Sequence, residues 1–290
     1  GSPAPGAPWR RAVGEVVSVI IDVWANAMST RAAKAFLGQE GFGHIEGFFG
    51  SEVQEGMTEA GLVAEMDRVG VDKALLSTAL STVDESRMAF VAEHHDRLLV
   101  AASADDVEHP RKQSADVRAR AADGILDAVR VSPLVQQYPL NHALYYPLYA
   151  TCEELGLPVS INIGIPGPRV RSRCQDPVLL EDVLIDFPDL VIIGAHMGHP
   201  YEDLLIEYML KWPNLYLSNS AYSAKYMHPG LVKFMGSSRG RGRVLFASDH
   251  PFLPMERALA AARQLPLEAV AMNDFLGDAA ARLLEGRAGG

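Results

Sequence analysis

One pattern constrains this chain more than any other: short apolar runs alternate with helical stretches eight times. The apolar runs lie at residues 16–23, 71–77, 98–103, 126–131, 158–163, 190–195, 215–219 and 244–248. Several are β-branched and continuous, which suits strands buried on both faces, as in a parallel sheet. Between them, residues 58–70, 84–94, 111–121, 142–155, 177–187, 202–211 and 230–235 read as helices, and 255–263, 267–272 and 275–284 close the chain in the same way. Eight β/α units predict an α/β fold of the closed (β/α)8 type, a TIM barrel, over an open doubly wound sheet. An open nucleotide-binding sheet would place a glycine-rich loop after its first strand, and Trp24-Ala25-Asn26-Ala27 is no such loop.

Punctuation supports the pattern. Thr58 is placed to cap the helix that follows it, and Gly70 to stop it. Residues 24–57 are too long for a framework connection and read as an insertion after strand 1. Its helical part is 30–37, and Phe42, Phe48 and Phe49 either cover the barrel mouth or pack on another subunit. Gly1-Ser2 reads as a cleavage scar, residues 1–15 as a disordered segment, and 16–290 as one domain.

Charge narrows the partners. A net charge of −10 argues against nucleic-acid and anionic-membrane binding. Two cysteines, Cys152 and Cys174, give no disulfide framework and no CxxC pair, so a reducing cytoplasm is the expected location. The run 16–23 is too short to span a membrane and contains Asp22.

In a (β/α)8 barrel the chemistry sits at the C-terminal ends of strands. The residues there are Asp22, Trp24 and Asn26; Arg130 and Ser132; Asn162, with Arg169 beyond; His196 and His199; Asn219 and Ser220; and Asp249 and His250. His196 and Asp249 form the sharpest pair, since an imidazole and a carboxylate at one rim can share a proton or activate a water. The structural alternative is that both merely satisfy loop backbone. Arg130 is a candidate clamp for a substrate carboxylate, or else an ion-pair partner of Asp249 or Asp22. Arg169 is a second clamp candidate, and His199 a further binding candidate. Trp24 is either a stacking wall or a plug. Asn26 and Asn162 either bind substrate or bond to each other. Cys174 carries no local cue for a lowered pKa.

The segments Phe187-Pro188-Asp189-Leu190, His196-Met197-Gly198, Trp212-Pro213-Asn214-Leu215-Tyr216 and Phe246-Ala247-Ser248-Asp249 stand in an order that resembles the amidohydrolase-related family. That family includes aminocarboxymuconate semialdehyde decarboxylase and related aromatic-acid decarboxylases. Met66-Asp67-Arg68-Val69-Gly70 and Gly277-Asp278-Ala279-Ala280 fit its early and terminal helices. The family pattern has His-x-His after strand 1, His at strands 5 and 6, and Asp at strand 8. Only His196 and Asp249 match it; Trp24, Asn26 and Asn162 stand in the other ligand positions. A catalytic Zn²⁺ needs three strong ligands, and Trp has no lone pair to offer. The expectation is therefore a degenerate metal site with no metal cofactor.

The resemblance implies a metal-independent lyase or hydrolase for a small cyclic or aromatic carboxylic acid or lactone, with Asp249 and His196 as acid-base pair. The alternatives are a non-catalytic barrel that binds a ligand or partner, and a biosynthetic dehydratase or cyclase. A homodimer is the assembly the resemblance implies.

Overall fold

The computed structural model describes residues 19–49 and 51–285. Eight strands form one sheet in the order β1 to β8: Ile21–Ala25, Lys73–Ala79, Leu98–Ser103, Ala128–Val131, Val159–Asn162, Ile192–Ala195, Leu215–Ser218 and Val244–Leu245. All neighbouring pairs are parallel. The sheet closes where the segment after β8 returns to β1. There Val23 N donates to Phe246 O at 3.0 Å, Asp249 N to Trp24 O at 2.8 Å, and Asn26 N to His250 O at 2.9 Å. The eight expected units and the (β/α)8 class are thus observed.

Side chains alternate across the barrel wall. Ile21, Val23, Leu75, Leu99, Ile193 and Leu245 fill the interior together with Ala101, Ala195, Ala247 and the larger Trp24. The opposite faces of the strands pack on the helices in a second, larger core that includes Leu62, Met66, Val100, Ile161 and Leu217. Caps lie where they were expected. Thr58 accepts from Gly61 N at 3.1 Å, and Gly70 ends that helix with a left-handed φ of 80°.

Some boundaries differ. The first strand was expected at 16–23; residues 16–18 lie outside the described residues, and β1 runs on to Ala25 because its bonds to β2 and to the β8 segment continue that far. The expected helix 142–155 begins only at Tyr146, because residues 142–145 form turns, with Tyr145 N bonding His142 O. The terminal helix opens with a wider turn over Asp274–Asp278. There Gly277 approaches Val19 so closely that a Cβ would lie 2.1 Å from its carbonyl oxygen.

The insertion covers the mouth. Ser29 caps the helix Thr30–Leu37, accepting from Ala32 N at 3.2 Å. Leu37, Phe42, Ile45 and Val53 form a small core with Leu134 after β4 and Phe252 after β8. Phe49 packs edge-on against Phe252, whereas Phe48 is 70% exposed. Gly41, at φ +83°, accepts from Arg169 N at 2.7 Å, and a Cβ there would lie 2.6 Å from Arg169 O. Gly41→Ala is therefore expected to cost about 1–3 kcal/mol of local strain. Limited proteolysis should then cut within residues 29–56 faster than in the parent, and an unchanged cleavage rate would contradict this account of the lid.

Candidate active site

The closing seam holds the site together. Asp22 is fully buried in β1. Its Oδ1 accepts from Trp24 N and Ser248 N, each at 3.0 Å, and its Oδ2 accepts from the Ser248 hydroxyl. Loss of water pushes its carboxyl up to about 6 despite these bonds and the nearby charge of Arg130. The strand ends beside the seam are sharply turned. His196 after β6, Ala221 after β7 and Asp249 after β8 have φ of 59°, 63° and 63°, a region unfavourable to residues with a Cβ.

A polar chain runs from Arg130 to Asp249. The Arg130 guanidinium donates to the Ser77 hydroxyl. Ser77 donates to Asn26 Oδ1 at 2.6 Å, and Asn26 Nδ2 donates to Asp249 Oδ1 at 2.8 Å and to His250 O at 3.0 Å. Arg130 also donates to Val23 O at 3.2 Å and Leu75 O at 3.0 Å, and its Cζ lies 3.9 Å from the Trp24 ring centre. Burial pulls Arg130 down to about 9, and attraction to Asp249 and Asp22 opposes that, so it stays charged at neutral pH. Burial pushes Asp249 up to about 7. The Asn26 hydrogen bond, the Arg130 charge and the Trp24 indole oppose that shift, while the Asp22 charge adds to it.

His196 also packs against Trp24, with ring centres 5.1 Å apart and planes tilted by 50°. Its Nδ1 lies 2.9 Å from Ser220 O, which can only accept, so Nδ1 carries the hydrogen. Nε2 then accepts from Asn162 Nδ2 at 3.0 Å, and Ser132 Oγ donates to Asn162 Oδ1 at 3.3 Å. Burial, with the Arg130 charge, lowers the imidazole to about 4, so His196 is neutral at pH 7. Both ring nitrogens are occupied, and no hydrogen bond joins His196 to Asp249 among the described residues. The expected direct proton exchange between them is replaced by two separate pairs, Asn26–Asp249 and Asn162–His196. His196 and Asp249 keep partial exposure, whereas Trp24, Asn26, Arg130 and Asn162 are buried.

The remaining candidates lie further out. Arg130, expected either as a clamp on substrate or as an ion-pair partner of Asp249 or Asp22, is 1% exposed and donates to Ser77 and two backbone carbonyls, while its Nε has no hydrogen-bond partner among the described residues. Arg169 is exposed, with its backbone tied to Gly41. His199 is paired with Glu202 at 2.7 Å beside Tyr222. His250 turns away, with Nδ1 accepting from Met255 N at 3.3 Å. Burial pushes the Cys174 thiol up, which makes it a poor nucleophile. Ser77 was not anticipated. Its only cue is the polar pair Ser77-Thr78 directly after the apolar run Ala74-Leu75-Leu76 of β2.

The residues present do not fit a tightly held divalent ion. Trp24 has no lone pair, Asn26 Oδ1 is taken by Ser77, and Nε2 of His196 is taken by Asn162. Among the described residues no cluster of three His, Cys, Asp or Glu could hold a metal. A fixed cation already lies beneath these residues, in the form of the buried Arg130 guanidinium.

Residues 56–286 match the family model described as Amidohydrolase. The chain belongs to this family. Similar solved structures include an uncharacterized TIM-barrel protein from Bordetella bronchiseptica, at 23% identity and a TM-score of 0.70, covering 92% of this chain and 99% of that one. Another is 5-carboxyvanillate decarboxylase from Novosphingobium aromaticivorans, complexed with manganese and 4-hydroxy-3-methoxy-5-nitrobenzoic acid, at 17% identity, a TM-score of 0.68 and coverage of 94% and 96%. A third is 2,6-dihydroxybenzoate decarboxylase from Rhizobium, at 15% identity, a TM-score of 0.68 and coverage of 92% and 98%. At these identities the likeness shows the amidohydrolase fold. A search of curated proteins finds no match. No helix among the described residues is long and apolar enough to cross a membrane.

The raised carboxyl has a signed consequence. In the folded amidohydrolase Asp249 holds a proton up to about pH 7, whereas its ordinary value is 3.8. The folded state therefore binds more protons in that window, and stability falls as pH rises through it. His196 acts in the opposite sense, gaining stability as pH rises from about 4 to 6.5. In Asp249→Asn the carboxyl term is removed. The melting temperature of the variant relative to the parent should climb between pH 4 and about 7 and level off above. A difference that is flat with pH would contradict the assignment.

Proposed function

We propose that this chain is a metal-independent lyase that decarboxylates a small aromatic or cyclic carboxylic acid. One observation carries this: a part-buried carboxyl, Asp249, raised to about 7 and linked through Asn26 and Ser77 to the cation Arg130. Loss of CO2 from an electron-rich ring requires a proton on the ring carbon that bears the carboxylate. Protonated Asp249 supplies it. The C–C electron pair then returns to the ring as CO2 leaves, and solvent reprotonates Asp249. A donor whose pKa lies near the working pH suits this step. Asn26 and Arg130 stabilise the carboxylate left behind.

The other residues take roles around this one. Trp24, backed by Arg130, is a flat wall for the ring. Asn162, held in place by neutral His196, has a second amide hydrogen to offer to an oxygen substituent. Arg169 and His199 stand at the rim to meet a substrate anion. The substrate class is supported by the solved neighbours that act on carboxyvanillate and dihydroxybenzoate. Ionised Asp249 would equally activate water against a lactone, so hydrolysis uses the same residue.

A second reading, a barrel that binds a ligand without turnover, is favoured by the mutual satisfaction of Asn26 with Asp249 and Asn162 with His196. The two are separated by following CO2 release from hydroxylated benzoates with and without a chelator. Chelator-insensitive turnover that falls at least ~100-fold in Asp249→Asn is expected. Turnover that depends on added Mn²⁺, or that survives in Asp249→Asn, would contradict the proposal. Binding of the same acids without turnover would favour the second reading.

A further inference from the structure

A cavity of about 300 Å³ lies behind the barrel wall, apart from the mouth. Its lining includes Ala27, Met28, Thr78, Arg87, Met88 and Arg120, and none of Trp24, Asn26, Arg130, His196 or Asp249. Its place follows from strand alternation. Ser77 points into the barrel toward Asn26 and Arg130, so the next residue of β2, Thr78, points outward to the helices. The volume is at the lower end of the ~300–1,000 Å³ usual for small-molecule pockets.

Two polar groups on its floor call for a ligand. The Thr78 side chain is 6% exposed, and its hydroxyl has no hydrogen-bond partner. A buried hydroxyl without a partner costs about 1–3 kcal/mol, so natural structures rarely leave one. Arg120, on the helix Pro110–Ala122, is 7% exposed. Its Nη2 donates to Ala79 O at 3.0 Å and Leu80 O at 2.8 Å, while no carboxylate pairs with it among the described residues. A guanidinium has five donors, so Arg120 retains others. An almost fully buried arginine without a counterion is unusual.

The charges around the cavity define the ligand. Arg87 also lines it, but its Nε lies 2.5 Å from Glu59 Oε1, and its Nη2 donates to Ala27 O at 2.6 Å. Arg87 is thereby neutralised. Asp84 stands at the exposed rim, where its carboxylate accepts from Arg87 N and Ser86 Oγ. Among the described residues one positive charge of the lining, the buried Arg120, has no carboxylate partner, and the exposed Asp84 carries a negative charge. That pattern suits a monoanion and disfavours a doubly charged phosphate. Met28, Met88, Ala27, Ala32 and Ala79 supply apolar walls. We propose that this cavity is a second site, which binds a small monocarboxylate with an apolar body. Arg120 holds the carboxylate in it, and the Thr78 hydroxyl donates to the same group.

The test uses the full chain and 4,4,4-trifluorobutyrate as probe, an acyclic acid outside the aromatic and cyclic class assigned to the barrel mouth, with binding read from its ¹⁹F line width. Thr78→Val keeps the shape and removes only the hydroxyl; Arg120→Met removes the charge. Each is expected to weaken the probe about tenfold or more, a magnitude that fits the loss of one hydrogen bond to a charged group. Because the acyclic probe lies outside the class assigned to the mouth, Asp249→Asn should leave this binding unchanged, and neutral 4,4,4-trifluorobutyramide should not bind at the site. If Arg120→Met fails to fold, Thr78→Val alone gives the answer. The proposal is overturned if the probe does not bind, if the amide binds equally, or if Asp249→Asn weakens binding while Thr78→Val does not. The last outcome would place the probe in the barrel mouth. None of these outcomes bears on whether Asp249 is the proton donor, so this site and the lyase assignment can fail separately.

Discussion

Everything at the mouth of this barrel depends on how the last strand closes on the first. The buried carboxyl of Asp22 makes that closure, taking two backbone amides and one hydroxyl from the two sides of the seam. β8 itself has only two ladder residues, Val244–Leu245, so the remaining closure falls to the segment that carries Asp249. Asp249 N bonds to Trp24 O directly. The acid of the proposed site is therefore fixed by the same bonds that close the fold. Its left-handed backbone, at φ 63°, is held in place by those bonds.

The second constraint is charge. Two carboxyls, Asp22 and Asp249, share a dry region with one guanidinium, Arg130. Ionising both acids would place two negative charges against one positive charge where little water screens them. Burial raises both carboxyls, the Asp22 charge raises Asp249 further, and Asp249 is left near neutrality, where a proton donor is useful. His196 is driven the other way by the same burial and the same cation, which keeps it a neutral hydrogen-bonding group. Burial thus sets the direction of all three shifts, while one arginine adds to the histidine shift and restrains both aspartates.

Much of this was legible in the amino-acid order. The eight apolar runs mark all eight strands, because parallel strands buried on both faces need continuous apolar sequence. Thr58 and Gly70 mark their helix because capping is local chemistry. The strand-end positions of Asp249 and His196 were readable because both follow apolar strands in a fold whose chemistry lies at strand ends. What was not legible depends on long-range pairing. Asn26 and Asp249 are 223 residues apart in sequence yet share a hydrogen bond. No local pattern announces that bond, or the role of Ser77 between Asn26 and Arg130. The position of Arg130 was readable, but its partners were not. A strand-end arginine looks the same in sequence whether it faces substrate or is stacked beneath Trp24.

The central claim is that Arg130 supplies the fixed positive charge of this pocket and that the residues in the family's ligand positions no longer hold a divalent metal. Metal content tests it most directly, measured by elemental analysis after incubation with Mn²⁺ or Zn²⁺ and exhaustive dialysis without chelator. The account predicts far less than one metal ion per chain in both samples. A near-stoichiometric ion that survives dialysis would contradict it and would show that Asn26, Asn162, His196 and Asp249 rearrange to bind metal.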